Sequence, residues 1–401
     1  MLAKAWILKT LAFAVLVGSV MALIEASGGI GGFVEYMQHQ TGLIKSKRSA
    51  LLLTYIVGVI IFVESSITSL IAGAVGRPFC KKYNISNAKL AFVCDSTSAP
   101  VSSLLVFNGW GALLLGLIST QISLGVIDGD SVEILIDAIF YNFYAMIALG
   151  VTFLTIWFDI DIGKMKHSTF KSELDNGSTC RESKSMFFML IPILLMVILV
   201  FVFLFITGNG DILKGSGSSS IFYTMASVVV FTLFYYVLSK NMSLKTWSKA
   251  TTKGAIKLIP IASILLFAFA IGQVTTELKT GEYLASLASD SLSVYFLAGV
   301  IFLLACVMAF ATGTSWGTFS IMIPIAVPMA ISMDANIALV LGGVISGGIF
   351  GDHCSPISDT TIISSMASEC EVVEHVSTQL PYALISGFIA FILFVIFGFF
   401  N

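Results

Sequence analysis

The chain has little charge. Asp, Glu, Lys and Arg make up 11% of its 401 residues, less than half the roughly 25% of soluble domains. So few ionic groups cannot cover a water-facing surface, which excludes an ordinary soluble fold. The net charge is −2 and no basic patch has interleaved aromatics, so nothing points to a nucleic-acid partner. The six cysteines, Cys80, Cys94, Cys180, Cys306, Cys354 and Cys370, form no CxxC pair and read as small apolar residues. His353-Cys354 is not ligand spacing, because neighbours on a helix point about 100° apart. HExxH does not occur, and GxSxG occurs once, at Gly313-Thr314-Ser315-Trp316-Gly317, between two apolar helical runs rather than on a strand-to-helix turn, so no zinc helix or nucleophile elbow argues for an enzyme. Lys4–Ile24 is apolar but lacks a small-residue cleavage pattern; it reads as a retained helix rather than a secretory signal.

Apolar length is what the chain has. Mean hydropathy is +0.97, and several runs exceed the roughly 18–20 residues that span a bilayer. Met186–Thr207 carries no charge, and Ile134–Phe158, Ile221–Ser239, Leu258–Thr275, Val294–Ala311 and Tyr382–Phe400 are similar. The fold class is therefore all-α, a polytopic integral membrane protein whose first partner is the lipid bilayer. The expected location is the inner membrane of a prokaryote.

Two polar segments interrupt this pattern and look like copies. FVESSITS at Phe62 is followed by DSTSAPVSS at Asp95; FATGTSWGT at Phe310 is followed by DHCSPISDTT at Asp352. Ionisable groups at membrane depth cost roughly 2.5–3.5 kcal/mol on insertion scales, so they are rare and functional. Polar, Gly/Pro-interrupted segments at corresponding places in two halves point to a transporter's binding site.

Loop charge orients the spans. Lys240–Lys257 holds five lysines and no acid, and Asp159–Lys184 holds Lys164, Lys166, Lys171, Arg181 and Lys184; both belong to the cytoplasm. Gly208–Ser220 and Ile127–Glu133 then lie outside. Lys45, Lys47 and Arg48 precede the first motif, and Arg77, Lys81, Lys82 and Lys89 follow it. Both flanks favour the cytoplasm, so residues 49–76 are expected to form a re-entrant hairpin with its tip at Glu64–Ser66. Non-helical backbone at that depth is tolerated where protein or a wet cavity covers it. Residues 88–124 read as a helix broken at DSTSAP, because Pro100 removes a donor and disfavours helix before it. The second half repeats the order inverted, with a hairpin over 294–330 and a broken helix over 335–368. The expected organisation is a first inverted repeat over 1–158, a cytoplasmic loop over 159–185 and a second repeat over 186–401. Three helices precede the second hairpin and one precedes the first, so the symmetry predicts further helices upstream of Met1.

The ion-binding or proton-coupling candidates are Glu64, Asp95, Asp352 and Asp359. Hydroxyls and free backbone line the tips and breaks around them: Ser65, Ser66, Ser96, Thr97, Thr312, Gly313, Thr314, Ser315, Ser355, Ser358 and Thr360. Such oxygens suit a dehydrated Na⁺, with H⁺ as its competitor. Asp359 lies seven residues after Asp352, on one face if the helix resumes. His353 is expected to orient Asp352 or bond a carbonyl. Lys245, Lys249, Lys253 and Lys257 recur every four residues, as on an amphipathic interfacial helix. No Lys or Arg stands in a tip or break, which favours an inorganic cation over an organic anion. No resident cofactor or transition metal is expected.

At FVESSITSLIAGAVGRPF, KYNISNAKLAFVCDSTSAPV, ATGTSWGTFSIMIPIAVP and SGGIFGDHCSPISDTTIISS the chain resembles the NhaC-type Na⁺/H⁺ antiporter family. The resemblance implies an inverted-repeat elevator transporter of the ion-transporter superfamily, with paired hairpins, working as a homodimer. It implies exchange of Na⁺ for H⁺, or Na⁺/H⁺-coupled movement of a small carboxylate or amino acid. Many relatives carry two adjacent acids at the first tip, where this chain has Val63-Glu64-Ser65.

Overall fold

A backbone in hydrocarbon must satisfy its own polar groups, and a helix does so within one segment. The computed structural model describes residues 5–39, 44–62, 65–106, 108–170, 184–210, 215–259 and 293–400, with isolated positions between 260 and 292. Its regular elements among these are all helical. Six of them are long and apolar enough to cross a membrane.

In chain order they are α1 (Ala5–Ala26), α2 (Gly29–His39), α3 (Lys47–Ile60), α4 (Ser65–Tyr83), α5 (Asn87–Ser96), α6 (Ala99–Ser103), α7 (Gly109–Ser123), α8 (Ser131–Phe140) and α9 (Phe143–Trp157). There follow α10 (Phe187–Thr207), α11 (Gly217–Leu238), α12 (Leu244–Lys257), α13 (Leu297–Thr312), α14 (Ser315–Ser332), α15 (Ile337–Cys354), α16 (Asp359–Ala367) and α17 (Val372–Phe400). Hydroxyl and amide residues set most starts. Ser46, Ser86, Asn108, Thr314, Asn336 and Ser358 each accept a backbone N–H in the first turn of the helix they precede.

Two groups of helices emerge. In the first, α1 packs on α11 and α12, and α10 packs on α2 and α11. Glycine permits the closest of these crossings: a Cβ on Gly254 would lie 2.1 Å from the Gly18 carbonyl oxygen. Lys9 near the start of α1 donates to Ser219, which places that end beside the start of α11. In the second group, α3 packs on α4, α13 on α14 and α15, and α16 on α4, α5 and α17. Gly343, Gly347 and Gly351 let α15 lie against the α13 backbone.

The flanks of the α3–α4 pair meet at one end of the molecule. Lys47 at the start of α3 reaches Asp159 at 2.7 Å and Asp161 at 3.7 Å, and Lys89 near the start of α5 reaches Asp161 at 2.8 Å. The return arm extends past Gly76 to Tyr83 with Pro78 inside it. The α13–α14 pair turns at Gly313, whose φ of 65° is left-handed.

The breaks differ from the sequence expectation in two places. The segment 88–124 is interrupted twice, at Thr97-Ser98 and again before Asn108. The second interruption exists because Asn108 is fully used: its Oδ1 caps α7, and its Nδ2 donates to the carbonyls of Ser102 and Phe62. Ile134–Phe158 is not one helix. It bends by 44° between α8 and α9, where the Asn142 amide spans from Ser103 to Ser346. The predicted span Leu258–Thr275 lies largely outside the described residues.

Two predictions follow from this packing. Single cysteines at Ser46 and Lys82 are expected to react with an impermeant thiol reagent from the same side of the membrane; labelling from opposite sides would show a plain span. Gly254→Val should destabilise the α1–α12 crossing by about 1–3 kcal/mol, read as a lower midpoint of thermal unfolding in detergent.

Candidate functional site

The site grows from the break between α15 and α16. Asp352 stands in the last turn of α15, and Ser355–Ser358 with Pro356 leave the helix before α16 begins. The α16 sequence then puts Thr360, Thr361, Ser364 and Ser365 on one buried face. That face meets the end of α5, where Asp95 sits one residue before the helix stops. Asp95 and Asp352 are each 1% exposed.

The two carboxylates have different surroundings. Asp95 is saturated with donors. Its Oδ2 accepts from Gln379 Nε2 at 3.0 Å and Thr361 Oγ1 at 3.3 Å, and its Oδ1 accepts from Ser364 Oγ at 3.3 Å. The Nε2 atoms of His353 and His375 lie 3.8 and 3.7 Å from Oδ2. Asp352 is half satisfied. Its Oδ2 accepts from Ser315 Oγ at 3.0 Å and Thr360 Oγ1 at 3.2 Å. Its Oδ1 is buried with no hydrogen-bond partner among the described residues. An ionised oxygen left so costs stability unless a cation or proton meets it. Thr361 ties the two together, reaching the Asp352 carbonyl at 3.4 Å as well as Asp95.

The other sequence candidates divide into those at the site and those that hold the frame. Ser315 from the second tip and Thr360 meet Asp352 directly. Ser96 meets His353 Nε2 at 3.3 Å. Ser355 donates to the Phe310 carbonyl at 2.9 Å and shapes the break; Ser358 caps α16, and its hydroxyl also faces the Asp352 carboxyl. Thr97 donates to the Val93 carbonyl at 2.8 Å and packs beneath Gly58, away from the carboxylates. Thr312 is exposed and donates to its own helix; Gly313 turns the chain and Thr314 caps α14. Glu64 lies outside the described residues. Two expectations are corrected. Asp359 does not share a helix face with Asp352, because the break intervenes; it opens α16, accepting from Thr360 N at 2.9 Å. His353 does not orient Asp352 but faces Asp95, with its Nδ1 2.7 Å from the Tyr144 hydroxyl.

A cavity of about 280 Å³ lies between the two helix groups. Ser65, Ser66, Trp110, Trp316, Lys257 and Asp359 are on its wall, with Thr360 between it and Asp352. Lys257 was read from the sequence as an interfacial charge; it ends α12 and faces the cavity instead. His375 and Gln379 also escaped the sequence reading. Their four-residue spacing at the polar start of an apolar helix was the available signal.

The geometry can be set beside known proteins. Residues 109–399 match the Na⁺/H⁺ antiporter family. The chain belongs to that family. The match includes Asp352 and Asp359 and begins after Asp95. Along nearly its whole length, 96% of this chain and 78% of the relative, the chain is 32% identical to an uncharacterised protein of Haemophilus influenzae. Over 107 residues, 27% of this chain and 22% of the relative, it is 36% identical to the malate-2H⁺/Na⁺-lactate antiporter of Bacillus subtilis. The fold is similar to the YdaH transporter of Alcanivorax borkumensis, with a TM-score of 0.62 over 100% of this chain and 88% of that one. At 12% identity that likeness concerns the fold alone.

If the Asp352 cage holds the transported cation, Ser315→Ala should raise the Na⁺ concentration for half-maximal exchange about tenfold, as one charge-assisted bond of roughly 1.5 kcal/mol requires. Ser355→Ala, which faces a scaffold carbonyl, should leave it within about twofold. The comparison is read from Na⁺ titrations of both variants.

Proposed function

We propose that this chain is a secondary active antiporter that exchanges Na⁺ for H⁺, with Asp352 binding the cation and Asp95 serving proton coupling. The observation that carries the reading is Asp352 Oδ1, a sealed carboxylate oxygen without a partner among the described residues, inside a shell of hydroxyls. A dehydrated Na⁺ needs such oxygens, and a broken helix is where transporters place them. Asp95 suits a different task, because its own oxygens are already taken. In this reading the halves 1–158 and 186–401 act as inverted repeats. The α3–α4 and α13–α14 pairs are re-entrant from opposite sides, and the protein works as a homodimer in a bacterial inner membrane.

One observation favours a second reading. Lys257 and Asp359 set opposite charges on one cavity wall, which suits a small carboxylate or amino acid moving with the ions. The malate–lactate relative points the same way.

The test is dequenching of a pH-gradient dye in everted vesicles. Addition of Na⁺ should move protons in the wild type. Asp352→Asn and Asp95→Asn should abolish that movement while the protein remains in the membrane. Wild-type rates in both variants would overturn the site. Proton movement only on adding malate, lactate or an amino acid would replace the first reading with the second.

A further inference from the structure

Behind Asp95 lies a ring whose hydrogen bonds accommodate two charge states. His375 on α17 is 0% exposed. Its Nδ1 is 2.7 Å from Ser365 Oγ, and its Nε2 is 2.8 Å from Gln379 Oε1. The Gln379 amide has one possible orientation here. Its Nε2 donates to Asp95 Oδ2 and to the His353 carbonyl, so the turned amide would set an oxygen against two acceptors. Gln379 Oε1 therefore faces His375, and Nε2 of the ring must donate. Ser365 has one hydroxyl proton, and its Oγ lies 2.7 Å from the Thr361 carbonyl, which can only accept. With that bond made, Nδ1 must donate too. A ring that donates from both nitrogens is an imidazolium. Among the described residues, the charged or titratable groups facing it are Asp95 from α5, 3.7 Å away, and His353 from α15. His353 is held between Tyr144 of α9 and Ser96 of α5, and Asp359 of α16 faces the cavity instead.

The same atoms accommodate the neutral ring. If Nδ1 loses its proton, the Ser365 hydroxyl need only rotate from the Thr361 carbonyl to Nδ1. The Thr361 carbonyl then loses one bond, and Nε2 continues to donate to Gln379. Two protonation states thus differ by one hydroxyl rotation, without any helix moving.

Resting on the Na⁺/H⁺ exchange reading, we propose that His375 is the group that carries the exchanged proton, with Asp95 as its fixed counter-charge. Before Na⁺ arrives Asp352 stands ionised with Oδ1 unpartnered among the described residues, a cost that draws the cation in, and the other charges are Asp95⁻ and His375⁺. Na⁺ entering at Asp352 adds a positive charge to the same water-poor interior. The Nδ1 proton leaves for water on the open side, and the net charge of the site is restored. Thr361, which touches both carboxylate residues and accepts from Ser365, links the two events. One Na⁺ then displaces one proton, and no carboxyl needs to be protonated.

The test uses the purified full chain in proteoliposomes, with Na⁺ as the probe. His375→Gln should retain ²²Na⁺/Na⁺ counterflow near the wild-type rate, lose Na⁺-driven proton movement at least tenfold, and flatten the pH dependence of Na⁺ binding. Undiminished Na⁺-driven proton movement in His375→Gln would overturn the proposal while leaving the antiporter reading intact. Absence of any Na⁺-driven proton movement in the wild type would overturn both. Because the variant can fail to fold, wild-type protein labelled with ¹⁵N-histidine gives a second readout. One buried ring should carry protons on both nitrogens without Na⁺, and lose one at saturating Na⁺. Both buried rings, His353 and His375, staying in one protonation state throughout would also overturn it.

Discussion

A carboxylate sealed from water needs donors, and in this protein one short helix supplies them to two. The buried face of α16 sends Thr360 to Asp352 and Thr361 and Ser364 to Asp95. Both helix pairs close on the same element. Ser69 of α4 meets Ser364 at 3.0 Å, and Ser315 of α14 reaches past α16 to Asp352. The break after α15 is a consequence of this demand. A continuous helix would carry the hydroxyl face past Asp352 instead of back against it. Pro356 and the Ser358 cap make the interruption cheap, since the first-turn N–H groups keep an acceptor.

The segments around Asp95 and Asp352 look alike in sequence and differ in chemistry. Asp95 and Asp352 both end a helix, and a proline follows each. After Asp95, however, the chain forms only the five-residue α6. Its Ser103 is engaged with Asn142, and the carbonyl of Ser102 accepts from Asn108. The segment after Asp95 therefore spends Ser103 and the Ser102 carbonyl on fixing the bend between α8 and α9 and the approach of Phe62. The segment after Asp352 provides donors for both acids. A repeat detected by pattern predicts equivalent positions, but the donor supply depends on the length of the helix after each break.

This inequality also marks what could be read from the chain. Membrane class, helical elements and the polar interruptions were legible, because hydropathy and a proline beside an Asp are local properties. The pairing of Asp95 with Thr361, Ser364 and Gln379 was not, since those partners stand 266 to 284 positions away. Lys257 looked like one of four interfacial lysines, and only the crossing of α12 over α1 turns it to the cavity. His375 looked like a polar residue at a helix start; its bond to a Gln379 amide held by Asp95 and a backbone carbonyl appears only in the folded chain. The second interruption before α7 was hidden because Asn108 is an unremarkable amide until all its bonds are traced.

Thr360 shows how the wet and dry parts of the site meet. Its backbone N–H binds Asp359, which faces the cavity, and its hydroxyl binds Asp352, which does not. One residue thus joins an acid that water can reach to one that it cannot. A cation approaching Asp359 still keeps solvent around it, so the attraction there is weak and screened. One turn deeper the solvent is gone, and the same unit charge interacts far more strongly. In the proposed antiport, selectivity then belongs at Asp352, where hydration must be exchanged for fixed oxygens, and capture at Asp359, where Lys257 on the same wall tempers the local negative field.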